Sequence, residues 1–108
     1  MIELKKMKLE HYSEKLLKKQ ILEIVSKYLD LKDYRIFFFG SRVDKNNSQR
    51  SDIDIGIEGP DKIPTEILIQ IEEELDQLPT LYRFDLVDFK KVSSAFKKAV
   101  GSRVEYVS

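Results

Sequence analysis

The chain has 108 residues, enough for one domain built on one core of modest size. Hydrophobic residues make up 42% and charged residues 35%, the balance of a globular protein with a heavily charged surface, and no apolar run nears the ~20 residues that a bilayer span requires. Nineteen Lys and Arg are balanced by nineteen Asp and Glu, which argues against a broad nucleic-acid footprint, and the absence of cysteine excludes disulfides, thiolate metal sites and cysteine nucleophiles.

The first residues are partly basic, but no apolar stretch or small-residue cleavage site follows them, so no secretion signal is read and the cytoplasm is the expected location. The single histidine, His11, cannot form a histidine metal cluster. Over residues 8–29, Leu9, Leu16, Leu17, Ile21, Leu22, Ile24, Val25, Tyr28 and Leu29 recur at three- and four-residue spacing, which predicts an amphipathic helix. Its interleaved lysines and glutamates read as a solvated face.

Arg35 to Phe39 is a short aromatic-rich run stopped by Gly40, the pattern of a buried strand ending in a tight turn. Residues 41–51 are polar apart from Val43 and read as a loop or as a short helical turn plus loop. Residues 52–57 alternate strictly, with Asp52, Asp54 and Gly56 on one face and three isoleucines on the other, which predicts a strand with one face in the core. After Gly59-Pro60, residues 63–78 carry Ile67, Leu68, Ile71, Leu75 and Leu78 at helical spacing, with Pro64 or Thr65 near the start and Pro79 beyond the end. Residues 82–88 are strand-like, and alternation sets Asp85 and Asp88 on opposite faces. A last helix is expected over 90–100, closed by Gly101, before a β-prone tail over 103–107. The expected fold is α+β, a small mixed sheet flanked by helices.

The chemistry is concentrated in Gly40-Ser41, ten residues, then Asp52-Ile53-Asp54. Two carboxylates at i and i+2 on a strand point the same way, and their mutual repulsion is relieved by a hard divalent cation that takes oxygen ligands. A glycine lets the backbone approach a phosphate, and the following serine hydroxyl and N–H groups can hydrogen-bond its oxygens. Either element alone is weak: Gly-Ser is commonly only a turn, and Asp-x-Asp occurs at many solvated strand ends. Asp85 is the candidate third carboxylate, since an acidic side chain within an apolar strand needs a partner. Asp88 reads as a strand-end charge or as a cap for the segment after it. Asp44, Asn46 and Ser48 open like a calcium loop, but Gln49 replaces its glycine and Ile55 its glutamate, which sets that reading aside.

Together, Gly40-Ser41-Arg42, Ser51-Asp52-Ile53-Asp54-Ile55 and Phe84-Asp85-Leu86-Val87-Asp88 resemble the signature of the minimal nucleotidyltransferases of the DNA polymerase beta superfamily, with the Gly-Ser to Asp-x-Asp spacing matched without insertion. The resemblance runs from the first helix to the end of the chain. It implies that Gly40, Ser41 and Arg42 bind the triphosphate of ATP, that Asp52, Asp54 and Asp85 hold Mg²⁺, and that Asp85 also acts on the incoming hydroxyl. Arg42 and Arg50 could reach phosphates as charge-assisted donors, though exposed loop arginines are more often simply solvated. Small members of this family are similar to the antitoxin of paired toxin–antitoxin systems whose partner is a HEPN-domain toxin, and they attach AMP to that toxin. The rival expectation is a nucleotide-binding module that neutralises its partner by binding without turnover. With one domain expected, the acceptor would be held by another polypeptide or by a second copy in a homo-oligomer, with the 104–107 tail and the exposed side of the first helix as contact surfaces.

Overall fold

The computed structural model describes residues 13–40 and 52–107, within which three helices and four strands follow one another as α1 (Glu14–Ser26), β1 (Arg35–Phe39), β2 (Asp52–Glu58), α2 (Thr65–Leu75), β3 (Arg83–Asp88), α3 (Ser94–Val100) and β4 (Glu105–Tyr106). The sheet has the order β3-β2-β1-β4, with β1 antiparallel to both β2 and β4 and β2 parallel to β3. A parallel pair needs a crossover, and α2 supplies it. The mixed sheet with flanking helices expected from the sequence is the fold found.

Helix α1 begins where the Ser13 hydroxyl accepts from the Leu16 N–H at 3.2 Å, and it buries Leu17, Ile21, Ile24 and Val25, a stripe at helical spacing. The helix expected over 8–29 is thus shorter at its carboxyl end: Tyr28 and Leu29 turn back onto the Val25 carbonyl. Its expected portion before residue 13 lies outside the described residues. Helix α2 likewise stops at Leu75, and the three residues to Leu78 form turns rather than a further helical turn. Between the two helices, the Glu74 carboxylate accepts from Tyr28 and pairs with Lys27 at 2.7 Å.

Alternation along the strands produces two cores on opposite faces of one sheet. On the helix face, Ile36, Phe38, Ile53, Ile55, Ile57 and Phe84 pack with Leu17, Ile21, Val25, Ile71 and Leu75. The opposite face carries a smaller aromatic cluster of Phe37, Phe39 and Phe89, with Val87, Val92, Val100 and Val104 packed around it. Because β1 contributes to both, its four residues 36–39 are all buried.

Strand β3 lies at the sheet edge, and there the Glu72 carboxylate of α2 accepts from the Leu86 N–H at 3.0 Å. Helix α3 starts later than expected. Lys90 and Lys91 instead form a turn in which their N–H groups donate to the Asp88 side chain and carbonyl, both at 2.9 Å, and Ser93 caps the helix proper by accepting from the Phe96 N–H at 3.1 Å. Gly101 closes α3 with φ +62°.

Candidate functional site

Strand register assembles the carboxylates. In β2, Asp54 lies opposite Phe39 of β1 on one side and Asp85 of β3 on the other, and Asp52 lies opposite Arg83. In-register neighbours of a sheet present their side chains to the same face at a strand spacing of roughly 4.8 Å, and residues i and i+2 of a strand share a face. Asp52, Asp54 and Asp85 therefore occupy one face, the one that also carries Phe37, Phe39 and Phe89. Asp52 and Asp54 are half-buried, whereas Asp85 is exposed.

Burial pushes the pKa of Asp54 above the ordinary carboxylate value, and the neighbouring charges of Asp85 and then Asp52 push it further in the same direction. Asp54 is thus the electrostatic centre of the group. Among the described residues no three His, Cys, Asp or Glu side chains converge tightly enough to hold a metal ion by themselves. The sheet aligns the three carboxylates without closing them into a cage.

Gly40 follows β1 directly and has φ +72°, a conformation costly for any residue with a Cβ. A Cβ built there would overlap Oδ2 of Asp54 and come within 3.4 Å of its Cγ. The glycine is therefore required twice, by its backbone angle and by the carboxylate against which it is packed. Ser41, Arg42 and Arg50 lie outside the described residues.

Asp88 is separate from this group, as alternation predicted. It is 4% exposed, and its Oδ2 accepts from the buried Ile63 N–H at 2.7 Å while Oδ1 accepts from Lys90. It tethers the segment before α2 to the end of β3, and is a strand-end anchor rather than the cap of α3. Asp88→Ala leaves the Ile63 N–H buried without its partner and is expected to cost about 1–3 kcal/mol in urea denaturation, with nucleotide affinity unchanged.

Sequence reasoning missed the aromatic floor beside the carboxylates. Phe37 and Phe89 meet edge-to-face at 4.8 Å, and Phe96 of α3 meets Phe39 at 6.1 Å and Phe89 at 5.7 Å. The signal was present in β1, where Phe37 and Phe39 share the phase that register assigns to the acidic face. Gly56 makes room for this floor, since a Cβ there would overlap the Phe37 ring.

The fold is that of several solved structures. The chain is similar to the structure of a tri-AMPylated Shewanella oneidensis HEPN toxin in complex with MNT antitoxin, at TM-score 0.69 and 21% identity over 89% of this chain and 72% of that one. A toxin–antitoxin structure with AMP-PNP matches at TM-score 0.69 and 21% identity, covering 84% and 72% of the two chains, and the toxin–antitoxin MntA-HepT at 0.66 and 20%, covering 88% and 72%. Comparison with curated proteins by sequence gives no significant match. The model of the polymerase beta nucleotidyltransferase family matches residues 19–105, the span that contains every carboxylate of the site, and the chain belongs to that family.

Proposed function

We propose that this protein transfers AMP from ATP to a hydroxyl group of a HEPN-type toxin partner, in a Mg²⁺-dependent reaction, and so acts as the antitoxin of the pair. The observation that carries the reading is the placement of Asp54 between Asp85 and the positive-φ Gly40, which sets a carboxylate centre directly beside a side-chain-free turn. Family membership supports nucleotidyl transfer, and the similar complexes with an AMPylated toxin and with AMP-PNP support the choice of nucleotide and partner.

The donor set fits magnesium. Mg²⁺ is commonly held by one or two carboxylates with waters and substrate phosphates completing an octahedron, so aligned carboxylates without a closed cage suit an ion that arrives with ATP. When bound by Asp52, Asp54 and Asp85, Mg²⁺ would neutralise charge on the attacking and leaving oxygens. Gly40 and Ser41 would hold triphosphate oxygens through backbone N–H groups and the hydroxyl, with Arg42 as a charge-assisted donor. The acceptor oxygen attacks the α-phosphorus in line, the bond to the bridging oxygen of the β-phosphate breaks, and pyrophosphate leaves with that electron pair. The acceptor proton passes to Asp85, the one of the three that is exposed.

The test is label transfer from α-labelled ATP to the co-purified partner. Label on the partner in the presence of Mg²⁺, abolished by the Asp52→Ala/Asp54→Ala double variant, is the expected result. An unlabelled partner that binds equally well to parent and Asp85→Asn protein would overturn the enzymatic reading in favour of neutralisation by binding alone.

A further inference from the structure

Among the described strand residues of the acidic face, one cation stands at the end where the carboxylates gather. Register places Arg83, the first residue of β3, beside Asp52 and on the face shared by Asp52, Asp54 and Asp85. Arg35 shares that face too, but it lies opposite Glu58 at the far end of β1 and β2. Arg83 is exposed, and among the described residues it forms no ion pair, although a carboxylate is its in-register neighbour. A guanidinium that served only to neutralise Asp52 would close on it, whereas this one keeps its donors open to an incoming anion.

Position decides which part of a nucleotide such a group meets. The sheet order sets β3 and β1 on opposite sides of β2, so Arg83 and the Gly40 turn are two strand spacings, roughly 10 Å, apart, with Asp52 and Asp54 between them. That distance separates Arg83 from the turn proposed to hold the triphosphate tail. Along β3, Arg83 is two residues from Asp85, roughly 7 Å, and therefore on the side from which the acceptor hydroxyl is proposed to come.

We infer that the Arg83 guanidinium binds the non-bridging oxygens of the α-phosphate and stabilises the charge that builds there as the acceptor attacks. The inference rests on the proposed nucleotidyl transfer and adds to it a cation on the acceptor side, opposite the Gly40 turn. Arginine suits that place, because its planar fork donates two parallel hydrogen bonds to a phosphate. It stays protonated throughout, so the acceptor proton goes to Asp85 and pyrophosphate leaves with the electron pair, as in the reaction above.

The test reads binding and turnover separately, with α,β-methylene ATP, which binds but transfers no AMP, titrated by calorimetry, and label transfer from α-labelled ATP to the co-purified partner. Arg83→Ala should lower kcat about 10²-fold, while the Kd of the analogue changes by less than about 3-fold and the KM for the partner and the thermal midpoint stay at the parent's values. Arg83→Lys, which keeps the charge but not the fork, should recover only part of the rate. Sulfur in place of one non-bridging α-oxygen should slow the parent more than it slows Arg83→Ala, for one of the two diastereomers. Arg35→Ala, on the same face at the far end of the sheet, should match the parent in every reading. Weaker analogue binding with unchanged kcat would move Arg83 to the triphosphate tail, a raised partner KM alone would move it to the acceptor, and equal sulfur effects in parent and variant would leave it a mere neighbour of Asp52; each overturns the inference. A parent protein that labels no partner overturns the transfer reading itself, and the role of Arg83 with it.

Discussion

Asp54→Asn is expected to slow AMP transfer by about 10²–10³-fold, the loss typical when one preorganised electrostatic partner of a transition state is removed. The same substitution should not destabilise the nucleotide-free protein at neutral pH. A folded-state pKa raised above the unfolded value means that the native state binds the Asp54 proton more tightly. The stability associated with that proton is fully present below the unfolded value of about 3.9 and is lost as pH rises through the raised folded value. At pH 7 the ionised side chain therefore works against the fold, held half-buried beside Asp85 and Asp52. Asn removes that opposition, so its thermal midpoint at pH 7 should equal or exceed the parent's, and the two curves should converge in acid. A variant that transfers AMP at the parental rate, or that melts earlier than the parent at pH 7 alone, would contradict the assignment of Asp54 as the centre of the site.

Gly40→Ala should be damaging for two reasons that can be separated. Left-handed backbone costs a residue with a Cβ roughly 1–2 kcal/mol, and Gly101 has the same sign of φ. At Gly101, however, a new Cβ meets only the Lys98 carbonyl at 3.6 Å, an ordinary contact, whereas at Gly40 it drives into Asp54. Both alanine variants should thus lose stability in urea denaturation. Only Gly40→Ala should also lose ATP affinity and slow transfer by about 10²-fold, because a displacement on the order of 1 Å at a reacting centre can have that effect. If Gly101→Ala weakens ATP binding as much as Gly40→Ala, the contact with Asp54 is not what matters.

The faces of the candidate acidic residues within each strand were legible in the sequence because strand alternation is a strict rule. Asp52 and Asp54 share a face as their phase required, Asp88 points away from Asp85 and does different work, and Asp85 joins the other two only through the register of β2 with β3. What alternation cannot supply is which strands are neighbours. That β1 sits between β2 and β4, and that Asp54 rather than Asp52 faces Asp85, follows from pairing over long sequence separations. Helix boundaries failed where side chains competed with periodicity. The Lys90 and Lys91 N–H groups are taken by Asp88, and that local capture, invisible to a count of apolar spacing, delays α3 to Ser94. Residues 41–51, read from the sequence by their spacing between Gly40 and Asp52, lie outside the described residues.

The two faces of the sheet differ in what substitution there would disturb. Residues that hold the domain together, such as Phe38 and Ile55, alternate along the same strands with residues that define its chemistry, yet each set projects away from the other. On the proposed function, drift among the carboxylates can therefore alter acceptor choice or turnover while the aliphatic side goes on specifying the same scaffold. A lineage built this way can change its target without first having to rediscover how to fold.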